Sequence, residues 1–225
     1  GSVPSSGTAC CSGACWSRIT AHSSELLTRA GEAGDAHIVQ WLLARAARLS
    51  PGPSTELFLT NDHIGDASAL HLANILRADN ALTAIELYSN NIGVCGLGCL
   101  ADILAVNTTM RKLTIVSNAI GDPGAKHLAD VLRVKTTLTN LSLNSTNIGD
   151  GGAAHLAGVL KVNATLTDLH LQSNGISPEG YRHISDALRS NATVSKLDLR
   201  GNSVDDETCT LMLKVWRHGA KALYL

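Results

Sequence analysis

Apolar residues recur along this chain at a fixed spacing of 28 positions. Each unit opens with two apolar residues that flank one variable residue. These pairs are Leu57 and Leu59, Ile85 and Leu87, Leu113 and Ile115, Leu141 and Leu143, Leu169 and Leu171, and Leu197 and Leu199. A spacing that holds without slipping over so many units predicts a repeat array. We expect six repeats within residues 54–225, at 57–84, 85–112, 113–140, 141–168, 169–196 and 197–224, with Leu225 beginning an incomplete seventh.

Each unit also changes its own period. The Leu-x-Leu stretch alternates, as in a short strand with one buried face. A later stretch, such as the one from Ala125 to Leu132, has the spacing of a single helix face. Between them lies Ile-Gly-Asp, as at 120–122, in which glycine relaxes the turn and aspartate is suited to cap the helix that follows. Each repeat is therefore a strand, a turn, a helix and a return loop, and neighbouring repeats must stack to bury their apolar edges.

The turn carries an asparagine in four of the repeats, at Asn90, Asn118, Asn174 and Asn202. Its side-chain amide is suited to bond backbone groups that lose their partners where the strand bends, and such residues would stack into a ladder. Asp62 and Thr146 stand at this position in the first and fourth repeats. We expect these two turns to be the least regular.

The segment LNSTNIGDGGAAHLAGVLKVNATLT at 143–167 resembles the ribonuclease-inhibitor subfamily of leucine-rich repeats, and above all the repeats of NOD-like receptors. It is also similar to the repeats of axonemal proteins and of Ran GTPase-activating proteins. The resemblance implies an α/β fold, a right-handed horseshoe-shaped solenoid with a parallel sheet on its concave side and helices on its convex side. It implies little about function, because members share this scaffold and differ in what they bind.

In such a solenoid, the residues between and beside the two leucines of each strand face the concave side. The residues that we expect to bind a partner there are Phe58, Glu86, Tyr88, Val116, His170, Gln172, Asp198 and Arg200. Phe58 and Tyr88 form an aromatic pair in a chain with only 3% aromatic residues, and aromatic residues are enriched at binding hot spots. His170, Asp198 and Arg200, with Lys196, make a mixed-charge patch at the other end. The alternative is that these positions vary only because they are solvated.

The residues before the array divide into two parts. Residues 1–15 are rich in Ser, Gly and Cys and are typical of a tail. We predict two helices within residues 16–53, at 16–31 and 35–48. Pro51 and Pro53 end the second of them. Counting back 28 positions from the first repeat's helix places the second of these helices where a preceding repeat would lie. We therefore expect 16–53 to form a helical cap.

Composition narrows the classes of partner and site. A net charge of −1 argues against a nucleic-acid partner, which needs clustered Lys and Arg. No stretch approaches the roughly 20 apolar residues of a membrane span. The six cysteines lack the spacing of a disulfide framework, which favours free thiols and a cytoplasmic protein, with an organelle or a cilium as the alternative. Three of them, Cys10, Cys11 and Cys15, cluster in the tail, where a disulfide or a metal site with His22 stays an alternative.

One helix position carries His71, Cys99, His127, His155 and His183 in successive repeats. These residue types bind zinc, but adjacent helices pack about 8–10 Å apart. Zinc ligands must lie about 2.0–2.3 Å from one ion, so neighbouring repeats are too far apart to share one. We expect this position to pack between successive helices, and we predict no metal site and no cofactor.

Five Asn-x-Ser/Thr sequons occur, at Asn107, Asn140, Asn144, Asn163 and Asn191. Such sequons accept sugars in secreted proteins. Asn107, Asn163 and Asn191 occupy one repeat position, in the loop after the helix, where Asn and Thr suit the hydrogen bonds of a turn. We expect a structural role for these three.

The sequence contains no nucleophile elbow, no phosphate-binding loop and no paired acidic residues in apolar surroundings, and it does not predict an enzyme. We expect a non-catalytic module that binds a protein partner through the concave face. The alternatives are a structural subunit of a large ciliary or organellar assembly and, more remotely, a GTPase regulator.

Overall fold

The computed structural model describes residues 55–61, 64–78, 82–134, 137–216 and 222–225. Strands and helices alternate through all of these residues. The expected tail and helical cap, the cysteines of the tail, and Asp62 lie outside the described residues.

The strands form one sheet in which every strand is parallel to its neighbours and the spatial order follows the chain. The strands are β1 Glu56–Thr60, β2 Ala84–Tyr88, β3 Lys112–Thr114, β4 Asn140–Ser142, β5 Asp168–His170, β6 Lys196–Asp198 and β7 Leu223–Tyr224. Parallel neighbours need a crossover connection, which is usually a helix.

A helix connects each strand to the next. The helices are α1 Gly65–Ala78, α2 Val94–Leu104, α3 Gly121–Leu132, α4 Asp150–Leu160, α5 Pro178–Leu188 and α6 Asp206–Val215. Helices of neighbouring repeats pack against each other along the array. The predicted α/β solenoid is confirmed.

The strand register follows the 28-residue period up to the last step. Leu57 pairs with Ile85, and Leu113 pairs with Leu141. Leu197, however, pairs with Leu223, which is a step of 26. Leu223 is 7% exposed. It therefore occupies the strand position that the period assigned to Leu225, two residues further along the chain.

The core is a thin aliphatic layer between the sheet and the helices. Both leucines of each Leu-x-Leu pair are buried, as are helix residues such as Leu128 and Leu156. Glycine in the first turn allows neighbouring helices to approach closely. A Cβ atom on Gly152 of α4 would lie 2.7 Å from Asp122 Oδ1 and 2.8 Å from Ile148 Cγ2. Only a residue without a side chain fits there without a shift of its neighbours.

A residue with positive φ lies just before the position of the ladder asparagine in every repeat. These residues are Asn61, Ser89, Ser117, Ser145, Ser173 and Gly201, with φ between 51° and 71°. A Cβ atom on Gly201 would lie 2.8 Å from Ser173 Oγ, so space in this column is tight. The left-handed conformation is costly for residues with a side chain, and its recurrence shows that the turn geometry is the same from repeat to repeat.

The predicted asparagine ladder is confirmed. The side-chain amide of Asn118 donates to Leu87 O at 2.8 Å and to Val116 O at 2.9 Å. Its Oδ1 accepts from the backbone N–H groups of Asn90 and Ile92, at 3.0 and 2.9 Å. Asn174 and Asn202 repeat this pattern in their own turns. Each asparagine therefore ties its repeat to the preceding one.

Thr146 interrupts the ladder without distorting the backbone. Its hydroxyl donates to Leu143 O at 2.7 Å, within its own repeat. Ser145 has a φ of 54°, as do Ser117 and Ser173 in the adjacent repeats. The expectation of an irregular turn is wrong for Thr146, since the change lies in hydrogen bonding and not in geometry.

The aspartate of the Ile-Gly-Asp turn bonds to the backbone at the start of the next repeat's helix. Asp122 Oδ1 accepts from Gly149 N at 2.6 Å, and Asp66 Oδ1 accepts from Gly93 N at 2.7 Å. Gly149 and Gly93 are the residues just before α4 and α2. Because α3 begins at Gly121, Asp122 already lies within the first turn of its own helix, and its carboxylate links that turn to the next repeat.

Candidate binding face

The side chains on the concave face form three rows that run across the strands. The lower row stands at the first residue of each strand and is Glu56, Ala84, Lys112, Asn140, Asp168 and Lys196. The middle row lies two residues further along each strand and is Phe58, Glu86, Thr114, Ser142, His170 and Asp198. The upper row is Thr60, Tyr88, Val116, Asn144, Gln172 and Arg200, which lie at or just beyond the strand ends. Adjacent members of a row stand on neighbouring strands, about 4.8 Å apart.

The eight residues predicted from the sequence belong to the middle and upper rows, but they differ in exposure. Phe58 is 58% exposed and Arg200 is also exposed, while Tyr88, Val116, His170 and Gln172 are half-buried. Glu86 and Asp198 are buried, at 9% and 3%. A basic side chain pairs with each of these carboxylates, Lys112 with Glu86 and Arg200 with Asp198.

At the first end of the face, Phe58 and Tyr88 are diagonal neighbours. Glu86 lies directly opposite Phe58, and Thr60 lies opposite Tyr88. Burial raises the pKa of Tyr88, and the charge of Glu86 and a side-chain hydrogen bond with it raise that pKa further. The aromatic pair therefore encloses a carboxylate and is not a purely apolar patch.

Glu86 also forms an ion pair with the next strand, since Lys112 Nζ donates to Glu86 Oε1. This hydrogen bond raises the pKa of Lys112, although partial burial acts in the opposite direction. The ammonium group thus stays charged at neutral pH. Lys112 was not among the residues predicted to bind.

At the other end, Arg200 holds Asp198 with two hydrogen bonds. Its Nε donates to Asp198 Oδ1 at 3.0 Å and its Nη2 donates to Asp198 Oδ2 at 2.6 Å. The guanidinium lies 4.9 Å from the centre of the Tyr224 ring. Burial raises the pKa of Asp198, but the hydrogen bonds from the Arg200 side chain and backbone outweigh it and leave that pKa below its usual value.

His170 lies beside this pair, with Nδ1 4.0 Å from Asp198 Oδ2. Burial lowers the pKa of His170, and the nearby charge of Lys196 lowers it further. Both effects favour the neutral imidazole over the protonated one. The predicted mixed-charge patch is present, with a buried carboxylate at its centre.

A depression of about 160 Å³ lies between the two ends of the face. Its lining residues are Tyr88, Lys112, Thr114, Asn140, Leu141, Ser142 and His170. It forms where two short side chains of the middle row, Thr114 and Ser142, lie between the longer Glu86 and His170. Of the lining residues, only Tyr88 and His170 were predicted from the sequence. The missed signal was the shortness of residues 114 and 142 at equivalent strand positions.

The helix position with recurrent His and Cys differs in exposure from repeat to repeat. His127 is half-buried, whereas His155 and His183 are exposed. The described residues contain no cluster of three metal-ligating side chains. The expected packing between helices is compatible with His127 but wrong for His155 and His183.

The sequon asparagines of the return loops have the structural role expected of them. Asn191 Nδ2 donates to Leu160 O of the preceding repeat at 2.7 Å, and its Oδ1 accepts from Thr193 N and Val194 N. Asn107 and Asn163 make the same set of bonds. These asparagines form a second ladder at the opposite ends of the helices.

Four stretches of the chain match a family model described as Leucine Rich repeat, at 106–129, 134–157, 162–184 and 190–209. Their first residues are 28 positions apart. The fold is a leucine-rich-repeat solenoid. Within the part of the chain that the structure describes, no helix is long and apolar enough to cross a bilayer.

Two solved structures with this fold are similar to the chain. Actin-binding site 2 of leiomodin-1 is 23% identical with a TM-score of 0.54, and the match covers 65% of this chain and 87% of that one. The tropomodulin C-terminal domain of Caenorhabditis elegans is 14% identical with a TM-score of 0.58, covering 67% and 92%. At these identities the likeness establishes the fold alone. Comparison with curated protein sequences gives no match.

Proposed function

We propose that this leucine-rich-repeat chain is a non-catalytic protein-interaction module that binds a protein partner through its concave face. The observation that supports this most is the contrast between core and face. The buried leucines repeat at every strand, whereas the middle row changes from Phe58 through Thr114 to Asp198. A monotonous scaffold that carries a chemically varied face suits recognition of one partner surface.

Within the leucine-rich repeats, we place the array nearest to the ribonuclease-inhibitor subfamily and the NOD-like receptors, on the resemblance of residues 143–167. Leiomodin-1 contributes no partner to the proposal, because 23% identity carries over the fold and not the ligand.

Photo-crosslinking in the source cells tests the proposed face. The crosslinking amino acid p-benzoylphenylalanine would replace either Val116 or Gln172 on the concave face, with a matched replacement of His155, which is exposed on α4. We expect a discrete protein adduct from the concave positions alone. Adducts from position 155 alone would contradict the proposal and would favour the alternative of a structural subunit held by its helices.

We further expect the aromatic end to contribute more of the affinity than the mixed-charge end. Phe58 is the most exposed large apolar side chain of the sheet, and such a side chain gains the most from burial against a partner. Once the crosslinked partner is purified, Phe58→Ala should weaken its binding by about tenfold, as expected of an aromatic hot spot. Arg200→Ala should have a smaller effect, measured by calorimetry, and the reverse order would refute the prediction.

A further inference from the structure

We infer that the depression between Tyr88 and His170 binds a single carboxylate side chain, an Asp or Glu of the protein partner. The inference rests on the proposed function, because it assigns the chemistry of one point on the proposed face. It concerns the residues at the centre of the face, most of which the sequence did not nominate.

The size of the depression limits it to one side chain. Its volume is about 160 Å³. Its floor is formed by β3 and β4, two strands about 4.8 Å apart. Tyr88 and His170 form walls on the flanking strands β2 and β5. A partner backbone would have to lie above the face and send one side chain downward.

The floor offers two hydroxyl groups to a ligand. Thr114 is 2% exposed and Ser142 is half-buried, and both line the depression. Neither hydroxyl oxygen is among the fully buried side-chain atoms without a hydrogen-bond partner, which within the described residues are Ser185 Oγ and Thr208 Oγ1. Each hydroxyl can donate a hydrogen bond to an acceptor that enters the depression.

The side-chain amide of Asn140 is already engaged. Asn140 Oδ1 accepts from the Thr139 hydroxyl at 2.9 Å, and Asn140 Nδ2 donates to Asp168 at 2.7 Å. The strongest acceptor in the lining is therefore occupied, whereas the hydroxyls of the floor stay able to donate. A carboxylate accepts hydrogen bonds and donates none when it is ionised.

The charge of the lining favours the same ligand. Lys112 is the charged residue of the lining, and no carboxylate lines the depression. An ammonium group has three donors, and Glu86 accepts from Lys112 through one oxygen. The remaining donors of Lys112 can bond a second carboxylate that enters the depression.

Titration of the isotopically labelled full chain, followed by NMR, tests the inference with defined probes. The probes are N-acetylglutamate N′-methylamide, its glutamine counterpart and inorganic phosphate. We expect the glutamate probe to bind with a millimolar dissociation constant and to shift the amide signals of Thr114 and Ser142. It should bind about tenfold more tightly than the glutamine probe, since hydrogen bonds to an ionised acceptor are the stronger ones.

Variants place the signal in the depression. Ser142→Tyr, which fills it, should abolish binding, whereas Ser190→Tyr at an exposed loop position should leave binding unchanged. Thr114→Val removes the floor hydroxyl with little change of shape and should weaken binding several-fold; it serves if Ser142→Tyr fails to fold.

Equal affinity for the glutamate and glutamine probes, binding of phosphate alone, or binding that survives Ser142→Tyr would overturn the inference. None of these outcomes changes the crosslinking expected from Val116 and Gln172. The proposed function can therefore be correct even if this inference is wrong.

Discussion

Each ladder asparagine joins two repeats, because both the NH2 group and the oxygen of its amide form hydrogen bonds. Asn118 makes three hydrogen bonds to the preceding repeat and one within its own, and it is 4% exposed. Thr146, at the same position of the next repeat, is fully buried. Its hydroxyl donates to Leu143 O of its own repeat and not to the preceding repeat. The two positions thus share one backbone geometry and differ in how strongly they link neighbours.

This difference predicts unequal costs for the same substitution. Asn118→Ala leaves several buried backbone groups without partners, at about 1–3 kcal/mol for each one that water does not reach. We expect it to lower the free energy of unfolding by about 3 kcal/mol in urea titrations. Thr146→Ala should cost about 1 kcal/mol. Equal losses at the two positions would show that the ladder does not link the repeats.

At the scale of the helix, glycine has two different roles within α4. A Cβ atom at Gly152 would lie within 2.7–3.1 Å of Asp122, Ile148 and Ala125 of the adjoining structure. A Cβ atom at Gly158 would meet only the flexible end of Arg133, at 3.3 Å. Helix propensity favours alanine over glycine at both places, by roughly 0.5–1 kcal/mol.

We therefore expect opposite signs for two alanine substitutions in one helix. Gly152→Ala should destabilise the chain by about 1–3 kcal/mol, because overpacking pushes α4 away from α3. Gly158→Ala should stabilise it by about 0.5–1 kcal/mol. Thermal unfolding of the two variants beside the wild type measures both effects, and stabilisation by Gly152→Ala would mean that the helices are not closely packed.

The contact between β5 and β6 should make stability depend on pH. Burial first, and then Lys196, lowers the pKa of His170 below its ordinary value of 6.5, so the unfolded chain binds a proton there more readily than the folded one. The stability that neutral His170 contributes is present above pH 6.5 and is lost as pH falls through its lowered folded pKa. Asp168, Asp198 and Arg200 also face this ring.

We expect His170→Gln to lose less stability than the wild type between pH 7 and pH 5, measured by urea titration at each pH. His155→Gln, at an exposed position of α4, is the matched control and should keep the wild-type dependence. The prediction is wrong if the two variants behave alike.

The sequence predicted the repeating elements well, because burial of one strand face forces Leu57 and Leu59 to alternate and helix packing imposes its own spacing. It did not predict the depression, since alternation tells which face Thr114 and Ser142 occupy but not that Glu86 and His170 flank them. Nor did it predict the burial of Asp198, which depends on Arg200 folding back two residues along the chain. A 28-residue period also does not show that the last step is shortened to 26 residues. The sequence therefore assigned Leu225 to the strand position that Leu223 occupies.

At the scale of the whole molecule, the sheet and the helices form a linear array in which each repeat contacts its neighbours in sequence. The free energy of unfolding of such an array is close to the sum of the intrinsic stabilities of its repeats and the interaction energies between neighbouring repeats. A defect near an end of the described array opens few interfaces, whereas a defect in the middle disturbs the interfaces on both sides.

Hydrogen exchange in Leu141→Ala and Met212→Ala tests this organisation. Both side chains are fully buried, in β4 and α6 respectively, and each truncation should cost about 2–5 kcal/mol locally. We expect Met212→Ala to speed exchange in α6 and β7 while the amides of β3 and β4 stay protected, because the outer repeat opens without the others. Leu141→Ala should speed exchange from β3 through β5. If Met212→Ala instead speeds exchange equally in every strand, the array unfolds as a single cooperative unit, and the hydrogen-bond ladders couple the repeats more strongly than nearest-neighbour contacts require.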